Sequence, residues 1–165
     1  MLRQKMNNHD RANFKILPNC LLQQELARLR FFEKKIVFTN GCFDIIHRGH
    51  AEYLSKAADL GNVLLVGLNS DASVKRLKGQ SRPVQDEQTR ALVLASMFYI
   101  SYVVIFDEDT PYNLIKTVQP DVLVKGGDYE IKNIVGYDIV TAKGGQVLTI
   151  PFVEGHSTTS ILSKL

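Results

Sequence analysis

Tryptophan is absent from this chain, and cysteine is nearly so, with Cys20 and Cys42 alone. The two thiols do not stand in the close-paired spacing of a zinc ribbon or a dithiol redox centre, so each reads as a reduced cysteine in a cytosolic protein. No apolar run approaches the roughly 20 residues that a membrane-spanning helix needs. The opening stretch MLRQKMNNHDRANFK also lacks the apolar segment of a secretory signal. The cytoplasm is therefore the expected location. Charge of one sign is not in excess: the net charge of +3 is slight, and no basic stripe interleaved with aromatics occurs. That argues against nucleic acid as a partner. His-Glu-rich metal motifs and internal repeats are missing as well. What remains is a chain of 165 residues, 45% apolar and 22% charged. Those proportions suit one globular domain and exclude disorder.

Residues 1–17 are polar and read as an irregular, mobile tail ahead of a single domain over 18–165. Leu22, Leu26 and Leu29 recur at helical spacing and predict an amphipathic helix over 20–34, laid on the domain or against a second copy in a homodimer. Strands are predicted at 35–39, 62–68, 102–106, 122–124 and 146–150, from short β-branched and apolar runs. Helices are predicted at about 47–60, stopped by Gly61, and at about 86–99. Another opens at Pro111, a short one lies near 136–142, and a last one follows Ser157. Strands alternating with helices imply an α/β fold: a Rossmann-like parallel five-stranded sheet with helices on both faces. Such sheets bind ligands at the carboxyl ends of their strands. The loops after Thr39, Leu68, Val124 and Ile150 are the places to look, and all four carry polar residues.

After the first strand the chain reads Thr39-Asn40-Gly41-Cys42-Phe43-Asp44-Ile45-Ile46-His47-Arg48-Gly49-His50. His47 and His50 are three apart, so they share one helix face. They fall near the helix N-terminus, where free N–H groups and the helix dipole favour an anion. Gly49 between them lets a phosphate approach the backbone. Two imidazoles placed there can donate to a triphosphate as charge moves onto leaving pyrophosphate. The structural alternative is one histidine capping the helix and the other at the surface. A dinucleotide-binding turn is excluded, because Gly41 and Gly49 are eight apart and no third glycine completes Gly-x-Gly-x-x-Gly.

The pattern Phe43-Asp44-x-x-His47-x-Gly49-His50 resembles the signature of the cytidylyltransferase-like nucleotidyltransferases, and within them the heptose 1-phosphate adenylyltransferase branch. The resemblance runs from about Leu21 to the end. It rests on Thr39 to Asp44, Asn69 to Ser73, Lys75 to Gly79, Arg82-Pro83-Val84, Lys125 to Tyr129, and Ser157-Thr158-Thr159, in that order. It implies an HxGH-type fold and transfer of AMP from ATP, with Mg²⁺, to D-glycero-β-D-manno-heptose 1-phosphate. The products would be ADP-heptose, a precursor for lipopolysaccharide core or surface glycan, and pyrophosphate. No sugar kinase half accompanies the sequence, as in the branch's separate-chain form. The glycerol-phosphate cytidylyl branch has an arginine five residues before the serine of its Ser-Thr-Thr element, where this chain has Phe152; the heptose branch fits better.

The resemblance assigns catalysis to His47, His50 and Lys78, with Lys75 the other lysine able to meet the β- and γ-phosphates. Nucleotide binding falls to Thr39, Asn40, Gly41, Cys42, Phe43, Asp44, Gly49, Lys125, Gly126, Ser157, Thr158 and Thr159. Substrate binding falls to Asp71, Arg82, Arg90 and Asp128, the two guanidiniums suiting a sugar phosphate. Read as structure alone, Ser70 or Asp71 caps a helix, Arg90 lies on a helix surface, the paired glycines make a turn, and Ser157 is a plain N-cap. No dedicated metal cage is evident, so Mg²⁺ is expected on the phosphates. The partners expected are small molecules, not a membrane. The competing readings are another acceptor within the superfamily (glycerol phosphate, ethanolamine phosphate, pantetheine phosphate or FMN) and a nucleotide-binding protein without catalysis. Class I tRNA synthetases share the His-x-Gly-His element but are far longer.

Overall fold

The computed structural model describes residues 6–151. The helix expected after Ser157, and the nucleotide-binding roles of Ser157, Thr158 and Thr159, lie outside the described residues, as does Phe152. Five strands form one parallel sheet: β1 (Ile36–Gly41), β2 (Val63–Asn69), β3 (Tyr102–Phe106), β4 (Val122–Gly126) and β5 (Gln146–Ile150), in the spatial order β3-β2-β1-β4-β5. Seven α-helices are described: α1 (Asn8–Phe14), α2 (Asn19–Phe31), α3 (Arg48–Ala58), α4 (Asp71–Lys78), α5 (Glu87–Ala95), α6 (Tyr112–Val118) and α7 (Tyr137–Ala142), with a short 3-10 turn at Ile131–Asn133.

Alternation along the strands divides the core into two layers. Ile36 and Phe38 face one side, where Leu22, Leu26 and Leu29 of α2 meet Ile115 and Val118 of α6 and Val140 of α7. Val37 faces the other, with Leu54 and Ala57 of α3 and Ala91 and Leu94 of α5. The α/β reading and the expected strand sites therefore stand, with strand ends moved by one or two residues. β4 runs on to Gly126, so Lys125 and Gly126 end a strand instead of opening a loop.

The N-terminal segment departs from the irregular tail read in the sequence. Asn7 caps α1 by accepting from the Asp10 N–H at 2.9 Å, and Ala12 is buried. Residues 15–17 then run beside β3, with Leu17 N–H donating to Val103 O at 2.8 Å and Val103 N–H to Lys15 O at 2.9 Å. This short parallel bridge covers part of an edge strand that would otherwise present open backbone groups. Ile16 and Leu17 are its only apolar trace, packed against the two core layers, and two residues are too few to show a strand pattern.

The chain moves from β1 outward to β3, then returns past β1 to start β4. The order of connection reverses between β1 and β4, the place where open α/β sheets bind ligands. β1 pairs with β2 over six residues but with β4 only at Val37↔Val122 and Phe38↔Leu123. Past Phe38 the two central strands have no further paired residues, although both continue toward their carboxyl ends.

Candidate functional site

A cavity opens where β1 and β4 part. Its walls are the end of β1 and the loop after it (residues 40–44), His50 and Tyr53 of α3, Lys78 at the end of α4, Lys125 and Gly126 at the end of β4, and Tyr129 beyond it. The floor is set by a residue that the sequence reading missed. Tyr53 is buried, and its hydroxyl lies 2.5 Å from Thr39 Oγ1 on β1 and donates to Val124 O on β4 at 3.1 Å. It spans the split and occupies backbone and hydroxyl groups that the sheet no longer pairs. Burial pushes the phenol up to about 12, so it stays a neutral donor. Thr39 is thereby committed to Tyr53 and does not line the cavity. Tyr53 stands three residues after His50, on the same helix face, which was its one trace in the sequence. Tyr53→Phe should cost about 1–3 kcal/mol of stability, since Val124 O loses a buried donor. It should also lower turnover, because α3 carries His50. Urea unfolding together with kcat checks this; unchanged values for both would contradict it.

His47 occupies the N-cap position of α3, with extended backbone and no side-chain capping bond, so neither histidine acts as a plain cap. The two imidazoles stack at 3.9 Å between centroids and 25° between planes. Phe43, buried and with φ of +43°, meets His50 edge-on at 5.3 Å. A side chain at Gly41 would meet the Phe43 ring at 3.0 Å, so the glycine makes room for it. Burial, then the neighbouring His47 and Lys78, push His50 down to about 4, with the Ile45 carbonyl offsetting part of this. His50 Nδ1 is buried without a hydrogen-bond partner. An imidazole held neutral at a cavity wall, with one buried nitrogen unpartnered, is suited to gaining a bond, and a proton, when an anion arrives.

This burial has a consequence for folding. As pH falls, the unfolded chain protonates His50 first, near 6.5, while the folded protein resists until about 4. Stability should therefore drop between those values, and a His50→Gln variant should flatten that part of the curve. Urea unfolding across pH 4–7 measures it; identical slopes in the two proteins would exclude the effect.

Lys78 lines the same cavity as His50, whereas Lys75 does not. Burial lowers the Lys125 ammonium, and the nearby Cys42 offsets this in part. An ammonium in such a place gains from an anionic ligand. Gly49 is buried in the first turn of α3, where N–H groups lack intrahelical acceptors. Asp128 is exposed and does not line the cavity.

Three expected ligand contacts are occupied within the protein. Asp44 is 2% exposed; its carboxylate accepts from Arg82 Nε at 2.5 Å, Val84 N–H at 2.8 Å and Gln85 N–H at 3.1 Å. Burial alone would raise its pKa, but the bonds from Gln85, Arg82 and Val84 together lower it. Asp44 thus clamps the 82–85 segment to the β1 loop. Arg82 is mostly buried against it and does not line the cavity, and its buried Nη2 has no protein acceptor. Arg90 is 0% exposed, neither on a helix surface nor facing the cavity. Its guanidinium donates to Gln85 O, Cys42 O, Asn69 O and the Asp71 carboxylate, so the expected sugar-phosphate contact is corrected. Asp71 is spent on the same bond. Ser70 is the cap of α4, accepting from Ser73 N–H at 3.0 Å. Among the described residues no group of three His, Cys, Asp or Glu could hold a metal ion. No described helix is long and apolar enough to cross a membrane.

The cytidylyltransferase-like family pattern matches residues 38–162. A bifunctional protein HldE from Geobacter metallireducens is 60% identical over 145 residues, covering 88% of this chain and 29% of the relative. The protein of the same name from Campylobacter concisus is 51% identical over 164 residues, covering 99% of this chain and 34% of the relative. The chain thus spans about a third of these relatives' length. Among solved structures, a lipopolysaccharide core biosynthesis protein from Thermoplasma volcanium superposes with a TM-score of 0.60 at 24% identity, covering 74% of this chain and 99% of that one. A pantoate-beta-alanine ligase from Francisella tularensis gives 0.60 at 16%, covering 91% of this chain and 73% of that one. At those identities both speak for the fold alone. The family match begins inside β1 and runs past β5, through every loop that lines the crevice; the chain belongs to the cytidylyltransferase-like family and is a nucleotidyltransferase.

Proposed function

We propose that this chain transfers AMP from ATP to D-glycero-β-D-manno-heptose 1-phosphate, giving ADP-heptose and pyrophosphate. The observation that carries the reading is the meeting of His50 and Lys78 in one cavity, with the Asn40–Phe43 loop, at the reversal point of the sheet. The relatives named HldE, at 51–60% identity, support the acceptor.

A non-bridging oxygen of the sugar 1-phosphate attacks the α-phosphorus in line. A new P–O bond forms to the α-phosphorus as the bond from it to the α,β-bridging oxygen breaks, and that oxygen leaves with pyrophosphate. The nucleophile is already an anion, so no strong base is needed. The protein supplies position and charge. His47 and His50 donate to the phosphates at the mouth of α3, and Lys78 and Lys125 supply positive charge. Arg82, tied to Asp44 of the cavity wall, is the remaining guanidinium for the acceptor phosphate, and Ser157, Thr158 and Thr159 remain nucleotide contacts in this reading. Mg²⁺ would enter with ATP and would supply charge neutralisation to the polyphosphate.

The test is pyrophosphate release with ATP, Mg²⁺ and heptose 1-phosphate, beside the same assay with glycerol phosphate, ethanolamine phosphate, pantetheine phosphate and FMN. ADP-heptose as the preferred product supports the reading. A faster reaction with another acceptor replaces the substrate. ATP binding without pyrophosphate under any acceptor leaves a binding protein.

A further inference from the structure

We propose that Arg90 is a positioning residue: its guanidinium ties the nucleotide loop after β1 to the first turn of α4, and so sets where Lys78 stands relative to His50. The inference rests on the adenylyl-transfer reading for its kinetic readout, but not for its spectroscopic one.

The geometry is a four-way joint. Arg90 Nη1 donates to Cys42 O at 2.6 Å and Asn69 O at 2.9 Å, Nε donates to Gln85 O at 3.0 Å, and Nη2 donates to Asp71 Oδ1 at 2.7 Å. These acceptors belong to the β1 loop, the end of β2, the entry to α5 and the first residue of α4. The guanidinium is 0% exposed, so water does not compete for its bonds. A charge this deep is sustained by its full set of acceptors and by the Asp71 carboxylate.

Asp71 begins α4 and Lys78 ends it. At 1.5 Å rise per residue the helix is a rod about 10 Å long, and a tilt of about 10° at Asp71 moves the Lys78 end by about 2 Å. Two anchors of α4 pull toward the loop after β3: Ser73 Oγ donates to Glu108 O at 3.0 Å, and Arg76 Nε bonds Asp109 at 2.7 Å, while Asp71 N–H donates to Glu87 Oε2 on α5 at 2.8 Å. Arg90 is the side chain that ties α4 to the loop carrying Cys42, which leads into α3 and its histidines. Lysine cannot replace it, because an ammonium on a flexible stem does not span four acceptors in one plane.

The experiment is a double-mutant cycle of Arg90→Lys with Lys78→Met, paired with a second cycle of Asp71→Asn with Lys78→Met. Asp71→Asn keeps the buried arginine and loosens only the α4 side, so it guards against an Arg90 variant that fails to fold. Arg90→Lys should lower kcat by about 30-fold or more, since a misplacement near 1 Å costs up to ~100-fold, with KM for ATP changing less than about threefold. In the Lys78→Met background either substitution should cost less than about threefold more, because the positioned group is gone. The nucleotide-free protein gives the spectroscopic reading. Lys78 helps to hold the His50 imidazole down, along with His47 and burial. Lys78→Met should therefore raise the His50 NMR titration midpoint, and by less when Asp71 is asparagine. A kcat near wild type in both single variants, or losses undiminished without Lys78, would overturn the proposal. So would an equal titration shift in both backgrounds. Wild type that releases no pyrophosphate would instead sink the adenylyl-transfer reading, leaving the titration to decide the joint.

Discussion

His50→Ala should lower kcat by roughly 10²–10³-fold while the protein remains folded, the loss expected for one donor aimed at developing charge in a dry site. His50 is half-buried, so its removal opens no deep cavity. What disappears is the imidazole that the fold keeps neutral and leaves with a buried Nδ1 lacking a partner. A group prepared in this way contributes most when the ligand's charge is largest. The binding of ATP itself should weaken less than turnover, since Lys78 and Lys125 still line the cavity. His47→Ala should act in the same direction, because its ring stacks on that of His50. Pyrophosphate release at saturating substrates, with a thermal melt for each variant, measures both effects. Turnover within about threefold of wild type in either variant would remove that histidine from the mechanism.

Asp44→Ala should destabilise the fold by about 3–5 kcal/mol, the cost of removing one partner from a buried, hydrogen-bonded ion pair. The carboxylate satisfies three donors at once, and Arg82 loses its counter-charge in a place where only 15% of its side chain meets solvent. Asp44→Asn should also destabilise, because an amide presents one hydrogen-bond donor to a cluster made entirely of donors. The same carboxylate, held below its usual range, contributes stability above the unfolded value of 3.8 and loses it as pH falls through the folded value. Urea denaturation of the two variants gives the measurement. A loss under about 1 kcal/mol for Asp44→Ala would show that the clamp is a weak surface pair.

The strands and their ligand edges were legible because burial leaves a run of β-branched residues in each strand and glycine or polar residues where it ends. The His47–His50 pair was legible because helical spacing alone puts both rings on one face. Arg90 was not. A sequence shows its charge, and charge suggests surface or ligand; its acceptors are backbone carbonyls at Cys42, Asn69 and Gln85, which no residue type announces. Tyr53 was missed for a related reason. Its partners, Thr39 and Val124, meet only because β1 and β4 stop pairing beyond Phe38, a matter of register that the chain does not display locally. Asp44 was legible from the family motif and does line the cavity, but its bonds to residues about 40 positions away were not.

The most direct measurement is a crystal structure with magnesium and an ATP analogue that cannot be cleaved between its α- and β-phosphates. The polyphosphate should lie in the cleft between β1 and β4, within hydrogen-bond reach of His50 and Lys78, with Arg90 still locked to Cys42 and Asp71. A polyphosphate lodged elsewhere on the protein, with both imidazoles turned to solvent, would contradict it.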